Sequence, residues 1–356
     1  MNHKNCLRFA TSTFIVRNPS EKAFKACRPV RGACVLRQGP SEMNSREIEI
    51  LAYGEAKQKD SLLPLLEQAF GWTFSPAKFE KSIRTDSRLR DGSVGFCAVK
   101  EGRVVGYVGV MDLTLGTASG TEERVGGVYG VATHPEYTRQ GISTALLARS
   151  HEYFMMRGYR FSLLTTSPTI VAHALYTRLG YFDVAPFLSA YLGARPKRQK
   201  VLKRRSSAKP KPDHSRMLEL FRQCVKGRTG FVVRDEEYLR RLFKDYEISA
   251  KECVVTERGY VIFKKEKESV RIRELVARNG REMLWLIGLV EGMTQKPVVG
   301  RLGIPSSGDV IHAYKSRGFT VLEKSHGVLM AKQLVAGASF NDRFGNRFCM
   351  SALDHF

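Results

Sequence analysis

Between Arg46 and Leu192 the apolar positions change period several times, and each change predicts an element. Ser61 to Phe70 reads as a helix entered through a Ser cap, with Pro64 in its first turn. Pro76 to Ile83 predicts a second short helix. Ser93 to Val99 and Val104 to Leu115 have strand character on either side of Glu101-Gly102, which predicts a hairpin. Val125 to Thr133 predicts another strand, preceded by Glu122 and Glu123. Ile142 to Arg157 places Ile142, Ala145, Leu146 and Tyr153 at helical spacing. A short strand over Phe161 to Thr165 follows, then a helix from Ile170 to Leu179 stopped by Gly180, then one strand from Tyr181 to Leu192. Strands alternating with helices in this order predict an α/β fold with a mixed sheet.

A second patterned region begins near Ser215. Glu236 to Tyr246 predicts a helix; Glu252 to Val255, Gly259 to Phe263 and Val270 to Ala277 predict successive strands. Glu282 to Met293 reads as helix, Pro297 to Gly300 as strand, Asp309 to Ser316 as helix and Phe319 to Met330 as strand. After about Gln333 the pattern fades. The stretch from Arg195 to Pro212 is basic, contains Pro196, Pro210 and Pro212, and has no apolar period, which marks a linker. The expected organisation is therefore a disordered basic extension over 1–44, a domain over 45–193, a linker over 194–214, a second domain over 215–333 and a C-terminal tail over 334–356.

Composition adds bounds. A chain of 356 residues has room for two domains plus tails. No run of about 18 apolar residues is present, so no membrane span is expected. The N-terminus lacks the continuous apolar stretch of a secretory signal. The seven cysteines are scattered, without a C-x-x-C pair or zinc-like spacing, which reads as reduced thiols, a cytoplasmic protein and no metal site. The formal charge of +23 is uneven: Arg46 to Asp183 is nearly balanced, and the excess sits in the N-terminal forty residues, in Arg195 to Arg216 and in the second half. Such an excess suits polyanionic partners or solvated segments. Arg198, Lys200, Lys203, Arg204 and Arg205 form the densest positive cluster. It lacks the aromatic residues on which bases stack, so a solvated linker is favoured over a nucleic-acid grip.

The informative stretch runs from Val131 to Leu147: Val-Ala-Thr-His-Pro-Glu-Tyr-Thr-Arg-Gln-Gly-Ile-Ser-Thr-Ala-Leu-Leu. A strand enters a Pro-marked turn, then a loop with Arg139 and Gly141, then a helix. Backbone N–H groups at a helix start are unpaired and carry partial positive charge, Gly141 lets a diphosphate approach the backbone, and Arg139 adds a cation.

This stretch resembles motif A of the GNAT superfamily of N-acetyltransferases. Thr133, Pro135, Gly141 and Ile142 match that motif; Thr138 stands where Arg or Gln is usual and Ser143 where Gly or Ala is usual. A second match is Leu175-Tyr-Thr-Arg-Leu-Gly-Tyr181, similar to the Leu-Tyr-x-x-Leu-Gly-Phe signature of the family. The resemblance spans about Arg46 to Leu192 and implies an acetyl-CoA-dependent N-acetyltransferase. It implies that backbone groups of Val131 and Thr133 pair with the pantetheine arm, and that N–H groups from Arg139 through Gln140, Gly141, Ile142 and Ser143 to Thr144 hold the pyrophosphate. It implies that Tyr176 protonates the leaving thiolate. Without the flanking motif, Tyr176 reads as a half-buried helix aromatic.

The acceptor amine is expected to be primary and needs a base, because an alkyl amine is mostly protonated at neutral pH. The strand before the loop holds no carboxylate in its core; Glu122 and Glu123 stand at its mouth and Asp112 on the neighbouring strand, any of which could act through water, and Glu123 is the one named, with a solvated surface acid as the competing reading for each. Phe70-Gly-Trp-Thr-Phe74 and Phe79 fall where the family binds its acceptor, and read equally as core.

Ala313-Tyr-Lys-Ser-Arg-Gly-Phe319 echoes Leu175 to Tyr181, and the elements before it repeat as strands, helix, strand, helix. A second, degenerate GNAT-like domain is expected, in a tandem organisation similar to two-domain prokaryotic, Eis-like acetyltransferases. Its counterpart of motif A, Arg278-Asn-Gly-Arg281, lacks the required glycine spacing. Three functions stay open: an amine acetyltransferase, an acyl-CoA-binding regulator of the same fold, and a nucleic-acid-associated acyltransferase.

Overall fold

The computed structural model describes residues 14–16, 48–89, 92–194, 212–303, 308–322 and 327–354. Most of the N-terminal extension and the basic cluster of the linker lie outside these residues. In chain order the elements are β1 (Phe14–Val16), β2 (Ile48–Ala52), α1 (Leu62–Phe70), α2 (Pro76–Thr85), β3 (Gly95–Lys100), β4 (Arg103–Gly116), β5 (Glu122–Thr133), α3 (Ile142–Met156), β6 (Phe161–Thr166), α4 (Val171–Arg178), β7 (Phe182–Pro186) and β8 (Leu188–Leu192). They continue with α5 (His214–Val225), α6 (Glu236–Asp245), β9 (Cys253–Val255), β10 (Gly259–Lys265), β11 (Val270–Ala277), α7 (Gly280–Gly292), β12 (Val298–Gly303), α8 (Gly308–Ser316), β13 (Thr320–Leu322), β14 (Val328–Gln333) and α9 (Phe340–Phe344). Among the described residues no helix is long and apolar enough to cross a membrane. The result is the mixed α/β architecture that the period changes predict, with two sheets.

The chain divides into two units. The first comprises Met1–Ile83, Gly92–Val110 and Gly130–Ser150. Here β1 pairs in parallel with β2, and β2 and β3 pair antiparallel, as do β3 and the first part of β4. The end of β5 joins through His134 N–H, which donates to the Val105 carbonyl at 2.8 Å. Helix α1 buries Leu62, Leu65 and Leu66 and ends at Gly71, in the left-handed region. Ser61 holds the N-cap position, but its side chain makes no capping bond. Its hydroxyl donates to the Gln58 carbonyl and accepts the N–H of Val104 at 3.0 Å, tying the helix start to β4. Ile142 and Leu146, at the start of α3, pack on bare backbone at Gly106, where an added Cβ would lie 2.6 Å from Ile142.

The second unit comprises Arg84–Asp91, Met111–Tyr129 and His151–Phe356. It holds a sheet of order β13-β8-β12-β11-β10-β9, and also the run β5-β6-β14-β7. The expected single strand from Tyr181 to Leu192 breaks at Phe187: β7 pairs with β14, while β8 pairs with β12 and β13. The expected strand from Phe319 to Met330 breaks likewise, with β13 beside β8 and β14 inserted between β6 and β7. Each patterned region thus lends a strand to the other's sheet. The exchange is well packed, since Val328, Leu329, Met330 and Ala331 of β14 are all buried.

The stretch after Gln333, patternless in sequence, is packed rather than loose. Phe340, Phe344, Phe348, Met350 and Leu353 are buried, and Asp354 is fully so. Arg234 donates to Asp354 at 2.7 Å and to Glu274 at 2.7 Å; Tyr238 donates to Asp354 and Tyr260 to Glu274. Removing one member of such a buried network leaves an uncompensated charge, at a cost of about 3–5 kcal/mol.

Candidate active site

The first unit contains Val131, Thr133 and the loop Arg139–Thr144. The loop is made by its backbone. After a short 3-10 turn at Pro135–Tyr137, Arg139 has φ 62° and Gly141 φ 80°, and α3 begins at Ile142. An L residue pays strain in this region and glycine does not. Arg139, Gln140, Gly141 and Thr144 are exposed, whereas Ile142 is buried and anchors the helix. No described side chain caps the first N–H groups of α3. Free amides at a helix start beside a left-handed turn form a concave anion cradle. Ser143 fits this cradle: its hydroxyl lies 2.7 Å from that of Thr133, which turns it toward the strand.

Val131 and Thr133 lie at the end of β5. The start of β5 pairs in parallel with β6 only from Gly126↔Ser162 to Val128↔Leu164. An extended ligand can add to backbone groups of this kind as a further strand would. On the same unit Phe70 and Trp72 stack, with ring centroids 4.5 Å apart, while 41% and 47% exposed. The Trp72 ring lies 3.5 Å from where a Cβ on Gly130 would be. The sequence singled out this aromatic run but carried no signal for its contact with β5.

Glu123 and Tyr176 belong to the second unit. Glu123 is buried and bonded by two guanidinium groups, Arg160 Nε at 3.0 Å and Arg343 Nε at 2.7 Å. Burial alone would raise its pKa, but the two arginines overcome burial and hold it below the ordinary glutamate value. This is the environment of a permanent anion.

Tyr176 lies near the end of α4 and is 6% exposed. Its hydroxyl makes no hydrogen bond to a described residue. Burial pushes its pKa up to about 12, so it is a neutral O–H donor at physiological pH. The Tyr176 ring packs edge-on against Tyr181 at 6.0 Å. Tyr181 is itself pinned, with its hydroxyl 2.7 Å from Ser162 and 2.9 Å from His151 Nε2. Burial, with help from Lys332, lowers the His151 pKa to about 3, so the imidazole is neutral. Lys332 of β14 also donates to the Leu179 carbonyl at the end of α4. Among the described residues no three His, Cys, Asp or Glu side chains gather as metal ligands would.

Residues 53–183 match the family described as "Acetyltransferase (GNAT) domain". The chain carries a GNAT acetyltransferase domain. Solved structures show the same fold over most of the chain. A GCN5-related N-acetyltransferase from Kribbella flavida superposes with a TM-score of 0.63 at 19% identity, covering 82% of this chain and 72% of that one. One from Anabaena variabilis gives 0.60 at 16% identity, covering 81% and 73%. A probable N-acyltransferase from Enterococcus faecalis gives 0.57 at 14%, covering 81% and 72%. No curated protein matches by sequence. These likenesses show a shared fold.

Proposed function

We propose that this GNAT protein transfers an acetyl group from acetyl-CoA to a primary amine by direct attack in a ternary complex. The observation that carries the reading is the turn at Arg139–Gly141, with its two left-handed residues leading into an uncapped α3. In this proposal N–H groups from Arg139, Gln140, Gly141, Ile142, Ser143 and Thr144 hold the diphosphate, and Val131 and Thr133 offer backbone groups to the pantetheine arm. The acceptor nitrogen attacks the thioester carbonyl; a C–N bond forms, the C–S bond breaks, and the nitrogen gives up a proton. Tyr176 donates its O–H to the developing thiolate. A hydroxyl kept neutral by burial suits that role. The paired state of Glu123 does not suit a base, so the amine proton leaves to water in this reading.

The second patterned region is proposed as a degenerate repeat of the same fold. Its equivalent helix, α7, is closed to an anion: Asn279 accepts the N–H of Glu282, and the Glu282 carboxylate is buried at the first turn. A carboxylate there repels a diphosphate.

The test is an amine panel read by thiol release from acetyl-CoA, with melting temperature measured in parallel. A ligand that prefers the folded state raises the melting temperature. Acetyl-CoA is expected to do so, and Gly141→Glu to abolish the shift. Stabilisation without thiol release from any amine would make the protein an acyl-CoA-binding regulator. No stabilisation at all would sink the reading.

A further inference from the structure

The second repeat keeps a cleft although its anion loop is closed. Strands β11 and β12 run parallel and pair from Val270↔Val298 to Ile272↔Gly300, then part. A cavity of about 100 Å³ opens there, lined by β11 from Arg273 to Val276, by Arg301 and Leu302 of β12, by α5 and by the C-terminal stretch Cys349–Ala352. Its walls are of two kinds. Phe221, Phe231, Met283 and Val310 make an apolar side. Arg228, Arg273 and Arg301 give it three basic residues.

The charges in this cavity do not balance. Glu274 is the acid among the lining residues, and it is already matched by Arg234, which donates to both its oxygens at 2.7 and 3.1 Å. Tyr260 and Ser351 donate to it as well. Among the described residues, Arg228 and Arg301 have no acidic partner. Arg273 lies 3.8 Å from Glu266, which Arg271 already grips through both oxygens at 2.7 and 3.0 Å. The Nε of Arg273 is buried without a hydrogen-bond partner. Burial, followed by repulsion from Arg271, lowers the Arg273 pKa, and Arg301 adds to the effect. A buried donor left unpaired is costly, so an anion within its reach would be held.

We propose that this cleft binds a small monocarboxylic acid with an apolar body. The carboxylate pairs with the guanidinium groups of Arg228, Arg273 and Arg301, and the body rests against Phe221, Phe231 and Met283. Planar guanidinium groups suit a planar carboxylate, and the apolar wall gives no advantage to a bare inorganic anion. The site is separate from acetyl transfer and needs none of that reading.

The experiment uses the full chain with benzoate as probe, and benzyl alcohol and inorganic phosphate as controls. Calorimetry and melting temperature are expected to show benzoate binding more tightly than either control. Arg228→Gln and Arg301→Gln should each weaken benzoate about tenfold or more, the loss expected for one charge-assisted contact. Arg301 is exposed, so its variant is expected to fold normally. Cys224 and Cys349 line the cavity and serve as reporters. Benzoate should slow their alkylation by N-ethylmaleimide, mapped by peptide mass, and the shift caused by acetyl-CoA should be the same in both variants. Benzoate binding no tighter than benzyl alcohol or phosphate, binding indifferent to both arginine variants, or unprotected cysteines would each overturn the proposal.

Discussion

Tyr176 and Tyr314 occupy the same place in two copies of one helix ending. Each is followed four residues later by a left-handed glycine, Gly180 at φ 87° and Gly318 at φ 82°. Each carbonyl accepts the N–H of the residue five places on, Tyr181 at 3.0 Å and Phe319 at 3.1 Å. Each ring meets that residue edge-on, at 6.0 and 5.0 Å. The hydroxyls differ. That of Tyr314 is sealed in the core without a partner, against bare backbone at Gly300. That of Tyr176 is not among the buried unpartnered groups.

The two tyrosines should therefore respond oppositely to loss of the hydroxyl. Tyr176→Phe is expected to lower kcat roughly a hundredfold while leaving acetyl-CoA affinity nearly unchanged, as loss of a general acid would. Tyr314→Phe removes an unpaired buried polar group and is expected to stabilise the chain by about 1 kcal/mol. Denaturant unfolding and steady-state kinetics separate the two. Equal rates for wild type and Tyr176→Phe would exclude Tyr176 as the acid.

Much of this was legible locally. Period changes place most helices and strands within a few residues but give no element at β1, β2, α5 or α9; the loop at Gly141 stands out because glycine, proline and arginine have local meanings there. What was not legible is non-local. Nothing within Tyr181 to Leu192 says that the run changes sheets at Phe187, because both halves are equally strand-like and the partners lie near the far end of the chain. Ser61 has the chemistry of a cap, but Val104 competes for its hydroxyl. Lys332 finishes helix α4 from a strand that local pattern could not assign to it. The C-terminal stretch hid its packing because its buried residues, Phe340, Phe344 and Phe348, follow no strand period.

His151 should make stability fall in mild acid. Its folded pKa is about 3, against 6.5 for the unfolded imidazole. Between these values the unfolded chain binds the extra proton, so stability rises with pH across this window and is complete above it. The full effect is on the order of 5 kcal/mol at most. His151→Gln should flatten the pH dependence of unfolding between pH 6.5 and 3 relative to wild type. An unchanged profile would show that the imidazole is not held neutral.

Glu123 is expected to act in stability rather than in proton transfer. Its lowered pKa means that the stabilisation is present above the unfolded value near 4.3 and is lost as pH falls through the folded value. Glu123→Gln should lower the melting temperature at pH 7 and match wild type near pH 2. Its kcat should stay within a fewfold of wild type. A loss of kcat that follows a single ionisation would restore Glu123 as a base.

The exchanged strands also predict how the chain can be cut. A fragment ending at Lys211 lacks β14, and so exposes the edges of β6 and β7 that it normally covers. Bare apolar edges aggregate. The fragment is expected to be insoluble although it contains the whole of the matched family region. Soluble, acetyl-CoA-binding fragment in gel filtration would contradict this.

The same exchange bears on biosynthesis. When the ribosome has made everything through Leu192, the first sheet still awaits Val328 to Gln333, and β8 awaits a sheet not yet translated. Closing such distant pairs is slow, and the intermediate shows sticky edges throughout. Nascent chains of this protein should consequently lean on chaperones until the last strand emerges, and maturation should be governed by completion of the polypeptide rather than by successive folding of two halves.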